Sequence, residues 1–311
     1  MKNAASYISS FVFALLFVFS LIASAGCLTV EKFASKESLI RLTEENNISS
    51  IVYKEIEKHF TEKYADTGIP ADVYMNALSE EYLQTVINHK IDYGFTALNR
   101  GDTPGSAEIP VNSALENSIT SYYEEYAENT DYKIKDENDP YYAKLADAKK
   151  KANSAIEEFC DVFKFNALVK HGIIKKAKPL YVRLPMIRTI CLGVSAFLAL
   201  ILLVCNFKRI KDSLYWIGTG AFCAGILGGI PCIYLLNTDY FSSFTIKQAQ
   251  IYTSYTSAMI TFTKNLLTAC IILIIAAVIL YILYGICSAM TAKNDSKSIT
   301  TDNNSIAPPN N

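Results

Sequence analysis

The residues of this chain that could carry covalent or metal chemistry are eight cysteines, three histidines and several adjacent carboxylates, and their spacing disperses them. A helix that binds zinc through two histidines needs them one turn apart, as in H-E-x-x-H. His59, His89 and His171 are nowhere so spaced. Glu80-Glu81, Glu124-Glu125 and Glu157-Glu158 supply carboxylates in pairs. Neighbouring positions on a helix point in different directions, so each pair reads as a solvated face rather than an acid–base couple. There is no G-x-S-x-G elbow and no G-x-x-x-x-G-K phosphate cradle. The expectation is a non-enzymatic protein with no metal and no cofactor. Arg100-Gly101-Asp102 matches an adhesion tripeptide, but these residues are also ordinary turn formers. Asn47-Ile48-Ser49 would accept a glycan only in a eukaryote.

Cysteine placement points the same way. Cys27, Cys191, Cys205, Cys223, Cys232, Cys270 and Cys287 fall in or beside apolar runs, and Cys160 alone lies in polar sequence. One cysteine cannot form an internal bridge, and buried cysteine packs as a small hydrophobe, so packing is the expected role. Tyrosine is the more informative residue. Twenty are present, clustered at Tyr122, Tyr123, Tyr126, Tyr141 and Tyr142. Rings with one apolar and one hydrogen-bonding end anchor interfaces, and they equally line the rim of a small helical core. Both readings stand at this stage, the core reading being favoured.

Four charge-free blocks must position whatever the chain does: Ile8 to Val30, Thr189 to Asn206, Leu214 to Leu236 and Leu266 to Met290. About 20 helical residues cross a bilayer core, and lipid leaves no other way to satisfy the backbone. The expected fold is therefore all-α. It has four transmembrane helices, with a helical domain over 31–188 inserted between the first and second. The membrane domain covers 189–292, with a short outer loop at 237–265, and the polar tail 293–311 reads as disordered. Residues 1–30 admit three interpretations. Lys2, an apolar core and Ala23-Ser24-Ala25 fit a cleaved signal peptide, Cys27 fits a lipidated cysteine poorly, and the continuous apolar run through Val30 favours an uncleaved anchor. All three export residue 31 onward. Lys208, Arg209, Lys211, Lys293 and Lys297 in short segments support cytoplasmic termini, although Lys175, Lys176, Lys178, Arg183 and Arg188 crowd the outer end of the second span.

Within 31–188 the periodicity predicts four helices. The first carries Ile48, Val52, Ile56, Phe60 and Tyr64 and is closed by Gly68 and Pro70. The second starts at a Ser79 cap and carries Leu83, Val86, Ile87, Ile91 and Phe95 up to a turn at 99–105. The third holds Leu115, Ile119 and the Tyr122 cluster, and the fourth is one long helix from Pro140 to Val169. Gly172, Pro179 and Pro185 then punctuate the approach to the second span. In the outer loop, Ile251, Tyr255, Met259 and Phe262 form a stripe that can run as a helix into the fourth span and brace the domain.

The third span places Ala221, Gly225 and Gly229 on one stripe, which lets a neighbouring helix approach closely. The second or fourth span is the expected neighbour, and self-association is the alternative. No span contains an Asp, Glu, Lys, Arg or His, which weighs against transporters, channels and intramembrane proteases. A net charge of -1 and the lack of a basic stripe argue against nucleic acid.

The segment TGIPADVYMNALSEEYLQTVI, Thr67 to Ile87, lies behind an anchor and an amphipathic helix. It resembles a group of uncharacterised four-span proteins of low-GC Gram-positive bacteria, and a lysine-rich composition with only five arginines is in keeping. The resemblance implies a cell-membrane protein of no known activity. The layout is also similar to FtsX/MacB-like ABC permeases, which implies an ABC ATPase as partner, although the coupling segment 206–213 is very short here. The leading expectation is an envelope protein, embedded in the lipid bilayer, whose exported domain senses or binds an envelope protein partner. A mechanotransmitting permease-like subunit is the alternative. No oligomeric state is legible.

Overall fold

The computed structural model describes residues 2–100, 109–110, 112–136, 139–207 and 210–303. Most of the Arg100–Asp102 tripeptide and of the 99–105 turn, the basic pair Lys208-Arg209 and residues 304–311 lie outside these. Among the described residues there are eleven α-helices and no strand, so the fold is all-α. They form two compact units, one of residues 32–183 with 241–261 and one of 1–31, 184–240 and 262–311.

The first unit is a soluble-type helical bundle. Its helices are α2 (Lys36–Glu45), α3 (Ile48–Thr67), α4 (Ala71–Met75), α5 (Glu80–Arg100), α6 (Ser113–Asn129), α7 (Pro140–Cys160) and α8 (Phe165–Lys170). Local chemistry sets the boundaries. Gly68 takes the left-handed conformation at φ 71° and returns its N–H to Tyr64 O at 2.8 Å, a glycine C-cap. Ser79 Oγ accepts the Tyr82 N–H at 3.1 Å to open α5, and Asn112 Oδ1 accepts that of Leu115 at 3.1 Å to open α6. The expected long helix from Pro140 to Val169 is instead two. After Cys160 the chain turns through Lys164 at φ 54°, and the Asp161 carboxylate accepts the N–H groups of Phe165 (2.7 Å) and Asn166 (2.9 Å). An aspartate that satisfies the first free donors of a following helix ends the preceding one.

The apolar stripes meet in one core. Ile48, Val52 and Ile56 of α3 face Leu83, Val86 and Ile87 of α5 and Ile156 of α7, all fully buried. A glycine sits on the core face of α5 for lack of room: a methyl group at Gly94 would overlap the Phe165 ring. The 241–261 stretch belongs to this bundle. After a 3-10 turn at Tyr240–Ser243, α11 (Ala249–Asn303) begins, and its first turns bury Ile251 and Ala258 and pack a partly buried Tyr255 on the core, while Met259 is exposed. Tyr255 donates to Phe163 O at 2.8 Å, and Ser257 Oγ donates to Asn46 Oδ1 at 3.0 Å.

The second unit holds α1 (Lys2–Phe33), most of α9 (Ile173–Cys205), α10 (Ile210–Asn237) and the remainder of α11. Four helices, at Tyr7–Phe33, Ile173–Cys205, Lys211–Asn237 and Ala249–Met290, are long and apolar enough to cross a membrane. Phe19, Phe197, Ile272 and Ile282 are more than half exposed, an arrangement that lipid covers and water does not favour. The chain is therefore a multi-pass integral membrane protein. Two expected breaks are absent. Pro179 and Pro185 lie inside α9, which stays helical through both although each removes its own N–H from the ladder, and α11 stays helical through Asn303, beyond the Lys293 at which the sequence suggests an unstructured tail.

Packing among the spans uses hydroxyls and missing side chains. Along α1 and α9, running antiparallel, Arg188 pairs with Glu31 at 2.8 Å, Ser195 Oγ meets Ser20 Oγ at 2.7 Å and Ser24 Oγ at 3.1 Å, and Asn206 Nδ2 donates to Ser10 Oγ at 3.0 Å. Against α10, Phe17 of α1 lies over Gly220, and Tyr7 meets Trp216 edge-on at 5.2 Å. Between α10 and α11, a methyl on Gly225 would stand 2.6 Å from Ile274 Cγ1 and 2.8 Å from Cys270 O, and one on Gly229 would stand 3.6 Å from Cys270 Cβ. Ala221 is buried on the same helix. The stripe of small residues thus receives the fourth span.

Candidate functional site

The tyrosine cluster divides into anchored and exposed members. Tyr122, Tyr123, Tyr141 and Tyr142 form a ladder of edge-to-face contacts at 6.1, 6.0 and 5.3 Å along α6 and α7. Edge-to-face pairs set the positive ring edge against the negative face of the next and hold each ring in one orientation. Tyr122 donates to Gly68 O at 2.6 Å, which fixes one end of the ladder to the C-cap of α3. Tyr141 is buried, Tyr123 packs on the core, and beside them Tyr74 stacks on Phe60 at 4.0 Å, its hydroxyl pushed up to about 12 by burial. Tyr126 and Tyr142 are 60% and 46% exposed. The core and surface readings both apply, to different rings of one set.

Next to the exposed rings an open cleft of about 490 Å³ is lined by Glu124, Ala127, Glu128, Asp131, Tyr132, Lys133, Ile134 and Tyr141. Three carboxylates face one lysine there. Burial, and then Glu124, raise the Tyr141 pKa, so its hydroxyl stays a donor at neutral pH. Tyrosine faces bordered by carboxylates favour an organic cation or a lysine or arginine side chain, through ring quadrupole and charge together.

The wall of the cleft is held by Asp139. Its carboxylate accepts the Tyr132 hydroxyl at 2.6 Å, the Tyr141 N–H at 3.0 Å and the Lys135 N–H at 3.1 Å, and it caps α7. These donors, the Tyr132 hydroxyl first, hold its pKa below the ordinary carboxylate value. A depressed pKa stabilises the fold fully above the unfolded value of about 3.9, and that contribution is lost as pH falls through the folded value. Tyr132→Phe removes the largest cause, so the acid-unfolding midpoint moves to higher pH; circular dichroism of the full-length protein in detergent micelles from pH 6 to 2 checks this.

A second polar group lies within the bundle. Lys90 is 1% exposed and its ammonium pairs with Glu157, whose side chain is 38% exposed. Burial raises the Asp161 pKa against the two N–H bonds and the Lys90 charge that lower it. Burial also drives the Cys160 thiol far up, which leaves it inert as a nucleophile. The sequence did carry a sign of this group: Lys90 falls on the stripe of Leu83, Val86, Ile87 and Ile91, where an apolar residue belongs.

The remaining sequence candidates are not brought together. His59 packs against the rings of Phe60 and Phe159, while His89 and His171 are exposed at separate places. Among the described residues no group of three or more histidines, cysteines or carboxylates could hold a metal ion. Glu80, Glu81, Glu124, Glu125 and Glu158 are exposed. Comparison with protein-family models, with curated proteins and with solved structures returns no match, so the tyrosine ladder and its acidic cleft carry the functional reading by their own geometry.

Proposed function

We propose that this integral membrane protein displays its 32–183 helical bundle outside the cytoplasm, where it binds an envelope partner through the face made by α6 and α7. The observation that carries the reading is the ladder Tyr122–Tyr123–Tyr141–Tyr142 beside a cleft bearing Glu124, Glu128 and Asp131. Rigid aromatic rings give contact area at low entropic cost, and a surplus of carboxylates selects a basic segment. The apolar runs of the spans hold no Asp, Glu, Lys, Arg or His, which favours anchoring the bundle over conducting a solute. The buried, unreactive Cys160 cannot report orientation, whereas a thiol at exposed position 126 can.

A membrane-impermeant maleimide is expected to label Tyr126→Cys on intact cells. A photoreactive residue at position 142 is expected to capture a protein partner, and Glu124→Gln with Glu128→Gln is expected to reduce that capture at least about tenfold, the loss of about 1.4 kcal/mol of binding. Labelling only after lysis, or capture indifferent to the two glutamates, overturns the reading.

A further inference from the structure

On α1, Ser20, Ser24, Cys27 and Glu31 recur at helical spacing on one face, and on α9 Arg188, Cys191 and Ser195 do the same. The antiparallel register is fixed on both sides of the thiols, by Glu31–Arg188 at 2.8 Å beyond them and by Ser24–Ser195 at 3.1 Å before them. Ser20 adds a bond to the Cys191 carbonyl at 3.4 Å. By that register Cys27 stands opposite Cys191. Both are half-buried and both are free thiols in this structure. They lie about one helical turn from the Glu31–Arg188 ion pair, at the end of the apolar run, where water and solutes reach.

We infer that Cys27 and Cys191 are a disulfide site that clasps the first membrane helix to the second at their Glu31–Arg188 end. The inference rests on the proposed export of the bundle, because that end of α1 then faces an oxidising compartment. The chemistry is exchange with an oxidant of the disulfide class. One thiolate attacks a sulfur of the donor disulfide, and the other then displaces the donor from the mixed disulfide. A Cys27–Cys191 bond forms, the donor's S–S bond breaks, and two electrons and two protons pass to the donor, which leaves as a dithiol. Cys232 and Cys270 do not share this setting. Both are buried, Cys232 donates to Gly228 O of its own helix at 3.2 Å, and Cys270 lies against the glycine stripe.

The test uses the full-length wild-type chain, acid-quenched in whole cells, alkylated without reduction and mapped by mass spectrometry. The expected result is a peptide pair linked through Cys27 and Cys191, with a gel mobility that shifts on reduction. The shift disappears in Cys27→Ser and in Cys191→Ser and persists in Cys205→Ser. Both thiols found alkylated, in cells where Tyr126→Cys labels from outside, overturns this inference and leaves the orientation standing. If Tyr126→Cys labels only after lysis, the orientation and the clasp fall together.

Discussion

Replacing Glu157 by alanine lowers the stability of the helical bundle by about 3 kcal/mol, at the lower end for breaking a buried ion pair because one partner keeps some access to water. Lys90 is the reason. Its ammonium is enclosed by α5 and α7 and has Glu157 as its ion-pair partner. Without that carboxylate the charge stays buried beside Asp161, which is itself disfavoured as an anion by burial. The reverse change behaves differently. Lys90→Met keeps the length and volume of the stem and removes the charge, and the stranded Glu157 turns to solvent; a change within about 1 kcal/mol is expected. Denaturant unfolding of the full-length protein in micelles, followed by tyrosine fluorescence, measures both variants. Equal losses would show that the pair acts through packing rather than charge.

Gly225→Leu is the membrane counterpart, expected to cost about 3 kcal/mol or to abolish assembly of the spans. A single methyl at Gly225 already meets Ile274 Cγ1 at 2.6 Å and Cys270 O at 2.8 Å, and the second of these is backbone that no rotamer change can move aside. Leucine there has to push α10 and α11 apart, which removes the contacts along Gly218, Gly228 and Gly229 as well. Gly285→Leu is the matched control, since nothing lies within 4 Å of that position and lipid accommodates the side chain. Protease resistance of membrane-inserted protein separates the two. A Gly225→Leu protein as resistant as Gly285→Leu would mean that α10 and α11 do not touch there.

The elements were legible where one strong local signal decides them. Four charge-free runs, the Gly68-Ile69-Pro70 stop and the Ser79 cap all mark what the chain does at those points, because each depends on neighbours in sequence. The pattern misleads where the geometry of a single side chain arbitrates. Asp161 looks like one more polar residue on a long helix until its carboxylate is seen closing the first turn of the next. Pro179 and Pro185 look like breakers, yet a long helix tolerates the loss of two N–H groups. The site was half legible. Composition exposed the tyrosines, but periodicity cannot say which ring faces out, and the cleft needs Tyr132, Lys133 and Ile134, whose stretch carries no helical pattern. The pairing of Lys90 with Glu157 and the Cys27–Cys191 register are not legible because each depends on a partner far away in sequence.

The serine and asparagine rungs between α1 and α9 bear on the fate of the chain's leading segment. Trimming after Ala25 would carry off Ser10, Phe17, Ser20 and Ser24 together. Leu202 and Trp216, now shielded, would open onto acyl chains, and the hydroxyl of Ser195 and the amide of Asn206 would be left in a greasy trench, each without its α1 neighbour. The segment that looks most like a disposable leader is, in the folded molecule, a wall of the room.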